Sequence, residues 1–302
     1  MKVTPAIEAV WSSWLGVTTD RCHLNFELEG GHVASHIDAG IRSGTSTAER
    51  VRRDIASTQV KRVLEVGCSV GFNCFGLANI FADAEIYGIE PDSEAIEVAS
   101  AMASESGLKG LHFQTGFGEY LPFDTGFFDL VVCHTVIEHV NNVDAVISEI
   151  TRVMSPQGVL HLEAPNYIWP YEPHLAIWCI PLFGKKLARI FARLQNKGHQ
   201  IGYLEHLKFV HPVRLERLFR EHSLVWENRV EGKLDSIFSG DNHQRQLAKL
   251  REQLSHKIRV RDRDHLAHIR QRFAALSHQV EQSLQPGTGA WSESLDRVHC
   301  HT

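Results

Sequence analysis

The sequence predicts a doubly wound α/β fold on a mostly parallel sheet, and three stretches carry that prediction. Residues 63–78 open with Val63, Leu64 and Val66 in a short apolar run, turn through Gly67-Cys68-Ser69-Val70-Gly71, and resume with Phe75, Leu77 and Ala78 at helix-compatible spacing. Residues 85–92 repeat the pattern, a short strand ending on Glu90, and 93–106 read as the following helix. Residues 128–134 are almost continuously apolar, as a central parallel strand buried on both faces must be.

A strand that becomes a helix through a glycine-bearing turn brings backbone N–H groups to the carboxyl end of the sheet, where open α/β folds bind ligands. Glu65 stands just before the turn and would repel a phosphate, so the ligand expected there is a cation or a polyol. Ser69 occupies the second glycine position of a dinucleotide fingerprint, and no phosphate-binding lysine follows. The same five residues do match the Gly-x-Ser-x-Gly nucleophile elbow, which keeps open a serine hydrolase using Ser69. Glu90 lies about 20 residues beyond the turn at the tip of the neighbouring strand, where an acid accepts hydrogen bonds from both ribose hydroxyls. That placement implies a nucleoside.

Four blocks carry a wider resemblance: Glu65-Val66-Gly67-Cys68-Ser69-Val70-Gly71; Gly88-Ile89-Glu90-Pro91-Asp92; Leu121-Pro122-Phe123 with 128–134; and Arg152-Val153-Met154-Ser155-Pro156-Gln157-Gly158-Val159-Leu160. In this order and spacing, over roughly 51–224, the chain resembles the class I S-adenosylmethionine-dependent methyltransferases of the small-molecule type. The resemblance implies a seven-stranded sheet, S-adenosylmethionine as cofactor, no metal, and in-line attack of an acceptor on the sulfonium methyl. It implies that Glu65, Gly67, Ser69 and Gly71 hold the methionine part, that Glu90 and Pro91 hold the ribose, and that His134 borders the cofactor. Relatives meet the adenine with an aspartate where this chain has Phe117, so a stacked ring at Phe117 or a backbone contact at Gly118 replaces it. A noncatalytic S-adenosylmethionine-binding partner is the third class of function.

Taken in order, residues 1–45 form an N-terminal cover. It holds a helix over 7–15, a Gly- and Ser-rich passage at 30–31 and 40–46, and His32 and His36, whose i, i+4 spacing could bind a metal on a helix but reads first as two solvated or hydrogen-bonded imidazoles; in relatives such a segment folds over the cofactor, which leaves either histidine an acceptor-facing or a purely structural role. Ser46 or Thr47 caps a helix over 48–57, which begins a methyltransferase domain running over 46–240. Residues 111–115 give a third strand. His134, Thr135, Glu138 and His139 leave the end of the fourth, so His134 and His139 are the candidate general bases. An amphipathic helix over 144–154 turns at 156–158 into a strand over 159–163.

Residues 165–206 read as a lid insertion, with Glu172 and His174 as acceptor-binding candidates. Within it Lys185, Lys186, Arg189, Arg193 and Lys197 stand beside Leu187, Ile190, Phe191 and Leu194. That pattern fits a helix in a membrane interface as well as one packed on its own protein. Relatives with a similar insertion imply lipid or glycan-lipid acceptors. A helix over 211–222 and a returning strand over 224–230 follow. Residues 241–285 form a helical extension whose three-four seam over 244–284 suits a hairpin or a homodimer arm, and 286–302 a disordered tail.

Composition narrows the classes. With 43% hydrophobic and 22% charged residues over 302 positions, the chain has ample material for a core. A net charge of −5 gives no case for nucleic acid. No 18-residue apolar window exists, and the acid at Glu8 argues against a secretory leader, so a cytoplasmic location, with membrane association through the basic helix left open, is expected. The six cysteines form no Cys-x-x-Cys pair and read as reduced thiols.

Overall fold

The computed structural model describes residues 3–22, 33–55, 59–167, 171–179 and 181–227. The chain divides after Val225, and the first unit carries the fold. Its sheet has five strands: β1 (Arg62–Val66), β2 (Glu85–Glu90), β3 (Leu111–Thr115), β4 (Phe128–His134) and β5 (Met154–Glu163). They lie in the order β3-β2-β1-β4-β5, every neighbouring pair parallel. The order reverses between β1 and β4, so the crevice at their carboxyl ends is the switch point where such sheets take ligands. Of the seven strands expected, five lie among the described residues. The returning strand is irregular up to Glu227 and otherwise falls outside them, as do the 244–284 seam, the tail and His32.

Three helices follow the strands as predicted: α3 (Phe72–Ile80), α4 (Ser93–Ser106) and α5 (Val143–Val153). Asp92 caps α4 by accepting the Glu94 amide, Asn142 caps α5 through Ala145, and Gly107 at φ 72° ends α4. The turn expected at 156–158 is a bulge inside β5, where the register with β4 jumps from Phe128 opposite Met154 to Leu130 opposite Val159.

The N-terminal cover departs most from expectation. Helix α1 runs over Pro5–Cys22, and α2 over Val33–Asp54, so the glycine passage at 40–46 is helix interior rather than loop. Packing supplies the reason. A Cβ at Gly40 would stand 2.3 Å from the Phe72 ring, one at Gly44 2.0 Å from the Phe72 carbonyl oxygen, and one at Gly76 2.2 Å from the Gly44 carbonyl oxygen. The glycines let the α2 and α3 backbones touch, and that contact outweighs the weak helix propensity of Gly. Ala48 and Val51 of α2, and Ile55 just after it, then bury beside Val63, Leu77, Leu130 and Val132.

The insertion gathers an apolar cluster of its own. A two-stranded antiparallel ribbon, β6 (Tyr171–Glu172) and β7 (Ile177–Trp178), and helix α6 (Lys185–Leu194) enclose Leu175, Ile177, Cys179, Ala188, Ala192, Leu204 and Leu207. Helix α7 (Pro212–Glu221) follows, its Arg214 paired with Asp144 at 2.6 Å.

Close α2–α3 packing makes a paired prediction. Gly44→Ala forces a methyl against backbone and is expected to cost about 1–3 kcal/mol. Gly16→Ala, at an exposed position of α1 with nothing within 4 Å, is expected to be neutral or slightly stabilising. Urea midpoints of the two variants check this, and equal losses would contradict the packing argument.

Candidate active site

The turn after β1 is stapled to β2. Gly67 and Cys68 both donate their amides to the Ile89 carbonyl, at 2.8 and 3.0 Å, and Ser69 donates its amide to Glu90 Oε2 at 2.9 Å. Gly67 and Gly71 take φ of 73° and 85°, and Ser69 a φ of 48°. At Gly67 a Cβ would also strike the Val136 side chain at 2.3 Å, so the turn sits hard against the loop leaving β4. The amides of Gly67, Cys68 and Ser69, expected to face a ligand, are thus spent on β2. No imidazole among the described residues is hydrogen-bonded to the Ser69 hydroxyl, as a hydrolase elbow would need.

Glu65 lies inside this structure rather than in the cleft. It is 2% exposed; Oε1 accepts from Asn73 Nδ2 at 2.7 Å and Oε2 from the Cys74 thiol at 3.0 Å. Burial drives its pKa from the ordinary 4.5 up to about 7 against the pull of those donors. It braces α3 on β1, and its influence on a ligand runs through the turn.

Glu90 stands at the tip of β2, its Oε1 also accepting the Asp92 amide at 3.2 Å, and burial raises its pKa. Pro91 beside it is exposed. Beyond β3, Phe117 forms a bridge with Tyr120 and leaves its ring 56% exposed, while Gly118 is buried against Val66 and Val146. Two groups hold this loop: Glu119 Oε1 accepts the amides of Asn141 and Asn142, and Arg152 donates to the carbonyls of Leu121 and Phe123. An acid with remaining lone pairs at one strand tip and an open aromatic face beyond the next fit a nucleoside, sugar on Glu90 and base on Phe117.

On the far side of the turn, His134 ends β4. Its Nε2 lies 2.7 Å from His161 Nδ1, and His161 Nε2 lies 3.2 Å from Asp54 Oδ2. Helix α2 therefore reaches across the sheet twice, with Asp54 on His161 and Arg50 on Glu163 at 2.9 Å. Neither Asp54 nor His161 was among the sequence candidates. The trace in sequence is a histidine between Leu160 and Leu162, and nothing ties it to an acid 107 positions earlier.

The remaining candidates meet in a second group. Glu138 and Glu172 are both 0% exposed. Glu172 Oε1 accepts from His174 Nδ1 at 2.6 Å, and its Oε2 accepts the Leu175 amide at 2.6 Å. His139 and His174 face each other at 5.2 Å, nearly perpendicular, with Tyr203 beside both. Burial pushes Glu138 up to about 7 and His139 down to about 4. The structure thus separates the two proposed bases, His134 toward Asp54 and His139 toward the insertion.

A carboxyl whose folded pKa lies above its unfolded value favours the fold when protonated, so Glu65 stabilises fully below about pH 4.5 and its contribution is lost as pH rises to about 7. Wild type is expected to lose stability over that window relative to Glu65→Gln. Urea titrations at half-unit pH steps check the slope, and parallel curves would reject it.

Residues 57–206 match a family model described as "Methyltransferase domain". The Ubiquinone biosynthesis O-methyltransferase of Bartonella bacilliformis is 27% identical over 163 residues, 54% of this chain and 59% of that protein. The Probable tocopherol O-methyltransferase, chloroplastic, of Oryza sativa subsp. japonica is 34% identical over 148 residues, 47% of this chain and 40% of that protein. Among solved structures, the YcgJ protein of Bacillus subtilis aligns at 21% identity with a TM-score of 0.45, over 63% of this chain and 70% of that one. The chain spans about half the length of the curated relatives it matches. With the matched stretch covering the glycine turn, Glu90 and the switch point between β1 and β4, residues 57–206 carry a methyltransferase domain of the class I S-adenosylmethionine-dependent kind.

Proposed function

We propose that the chain transfers the methyl group of S-adenosylmethionine to an oxygen of a small acceptor with an apolar body, and that His134 takes the acceptor's proton. The observation that carries this reading is the hydrogen-bonded chain from Asp54 through His161 to His134 at the carboxyl end of β4. S-adenosylmethionine supplies an electrophilic methyl on a sulfonium. Glu90 holds the ribose, Phe117 the adenine face, and the 67–71 turn the methionine end. If His161 donates from Nε2 to Asp54, its Nδ1 must accept from His134 Nε2, which leaves His134 Nδ1 as the basic atom. A proton taken there makes His134 an imidazolium whose Nε2–H still donates to His161, and the Asp54 carboxylate stabilises that charge through the bonded pair, the logic by which an acid supports a catalytic imidazole. An oxygen acceptor is supported by the relatives, named for O-methylation in ubiquinone biosynthesis and of tocopherol.

The test uses methyl-labelled donor with a lipid and metabolite extract, read by mass spectrometry, alongside calorimetry of donor binding. His134→Gln should cut labelled product by about 10²-fold or more while donor affinity holds. Glu90→Ala should lose affinity by about 3–6 kcal/mol, the sum of two bonds to a charged acceptor. Donor binding without any labelled product would make the chain a noncatalytic binder; ester hydrolysis abolished by Ser69→Ala would make it a hydrolase.

A specific observation favours a membrane-delivered acceptor. Trp178, Phe183, Ile190 and Leu194 of the insertion are each more than half exposed. The basic face is weaker than its five charges suggest, because Lys185 donates to the Glu205 carbonyl and Arg189 pairs with the Glu205 carboxylate. Apolar insertion therefore has to supply most of the attraction, at about 25 cal/mol per Å² buried. No helix among the described residues is long and apolar enough to cross a membrane. Sedimentation with anionic vesicles should carry wild type down, and Phe183→Ser combined with Ile190→Ser should release it more than Lys186→Ser with Arg193→Ser does. Wild type left in the supernatant at low salt would sink the membrane reading.

A further inference from the structure

We infer that Glu138, His139 and His174 form a binding site for one divalent transition-metal ion of the zinc class, joining the loop after β4 to the insertion. The three side chains offer a carboxylate oxygen and two imidazole nitrogens, all within 4.8 Å of one another. Glu138 Oε1 lies 4.0 Å from His139 Nε2 and 3.9 Å from His174 Nε2. Those separations are too long for hydrogen bonds, and both Glu138 oxygens are buried with no hydrogen-bond partner among the described residues. A wholly buried carboxylate without a donor is costly, and a cation between it and the two rings removes that cost.

The geometry needs little adjustment. Ligands about 2.0–2.2 Å from a tetrahedral ion stand roughly 3.3 Å apart, so the two Glu138 pairs have to close by well under 1 Å and the His139–His174 pair by at most about 1.5 Å. The tautomer of one ligand is already set. His174 Nδ1 faces Glu172 Oε1 at 2.6 Å and donates to it, which leaves Nε2 with the lone pair directed toward Glu138. Glu172 is in turn fixed by the amides of His174 and Leu175. A carboxylate that orients a histidine from behind is the arrangement that surrounds metal-bound imidazoles.

Two nitrogens and one carboxylate oxygen favour zinc, cobalt or iron(II) over magnesium or calcium, which prefer all-oxygen shells. Three protein ligands leave the fourth position of a tetrahedral ion open to water or another oxygen. The other histidine pair does not compete, because His134 and His161 are bonded to each other at 2.7 Å and Glu163 is held by Arg50. Glu138 also receives the Lys208 amide on its carbonyl, so an ion here would secure both ends of the insertion to the β4 loop.

The test titrates the full-length protein, stripped with chelator, with cobalt(II) chloride and follows the visible d–d bands, with zinc competition as a second reading. One cobalt per chain is expected in wild type, displaced by zinc. Glu138→Gln and His174→Gln should each weaken binding by at least tenfold, and Glu172→Gln by about 10–100-fold through loss of the orienting acid. His36→Asn, on α2, is the control for surface histidines and should bind as wild type. S-adenosylmethionine affinity and circular dichroism report whether each variant is folded, so that if one variant fails to fold the others still decide. Wild type without stoichiometric cobalt, or equal cobalt affinity in wild type, Glu138→Gln and His174→Gln, would overturn the inference.

Discussion

Three carboxylates buried at the carboxyl ends of the strands set the terms for the rest of this structure. Glu65, Glu138 and Glu172 are each nearly inaccessible, and a carboxylate taken from water must be protonated, hydrogen-bonded or paired. Glu65 is answered from within its own β1–α3 unit by Asn73 and Cys74, and Glu172 by an imidazole and two amides. Glu138 has two imidazoles at 4.0 and 3.9 Å and, among the described residues, no side-chain donor within hydrogen-bond distance. The first acid shapes the cofactor turn, the second positions His174, and the third leaves its charge to be met by something further.

A second constraint is the approach of α2 to α3. Two glycines on α2 and one on α3 bring the backbones together, and the register this fixes carries Arg50 and Asp54 over the sheet to Glu163 and His161. A bulkier residue at Gly44 would lift α2 and with it Asp54. Core packing of an N-terminal segment and the orientation of His134 are thereby one problem rather than two, and the cover is part of the site.

The insertion solves a different problem. It buries its own apolar cluster, so it does not depend on the sheet for a core. With that cluster satisfied, it presents Trp178, Phe183, Ile190 and Leu194 outward and His174 inward. Helix α6 illustrates the division: alanines at 188 and 192 face the core, whereas the larger side chains at 190 and 194 do not. The hydrophobic stripe read from the sequence picked out the exposed face as readily as the buried one, because periodicity identifies a face without saying what covers it.

Local chemistry made much of the chain legible. Apolar runs, glycines at the turn and acids at strand tips determined the alternation of strand and helix, the parallel sheet and the place of Glu90, since each depends on residues within a few positions of one another. Helix α2 was misread over 40–46 because glycine signals a turn by propensity and a close helix contact only when the partner helix is known. Asp54 and His161 could not be placed for the same reason, and Glu138, legible as a residue leaving β4, could not be given its neighbours. A hydrogen bond spanning 107 positions, or an unanswered charge between a strand loop and a ribbon, exists only once the chain has folded, because sequence sets which groups are available and tertiary packing sets which of them meet.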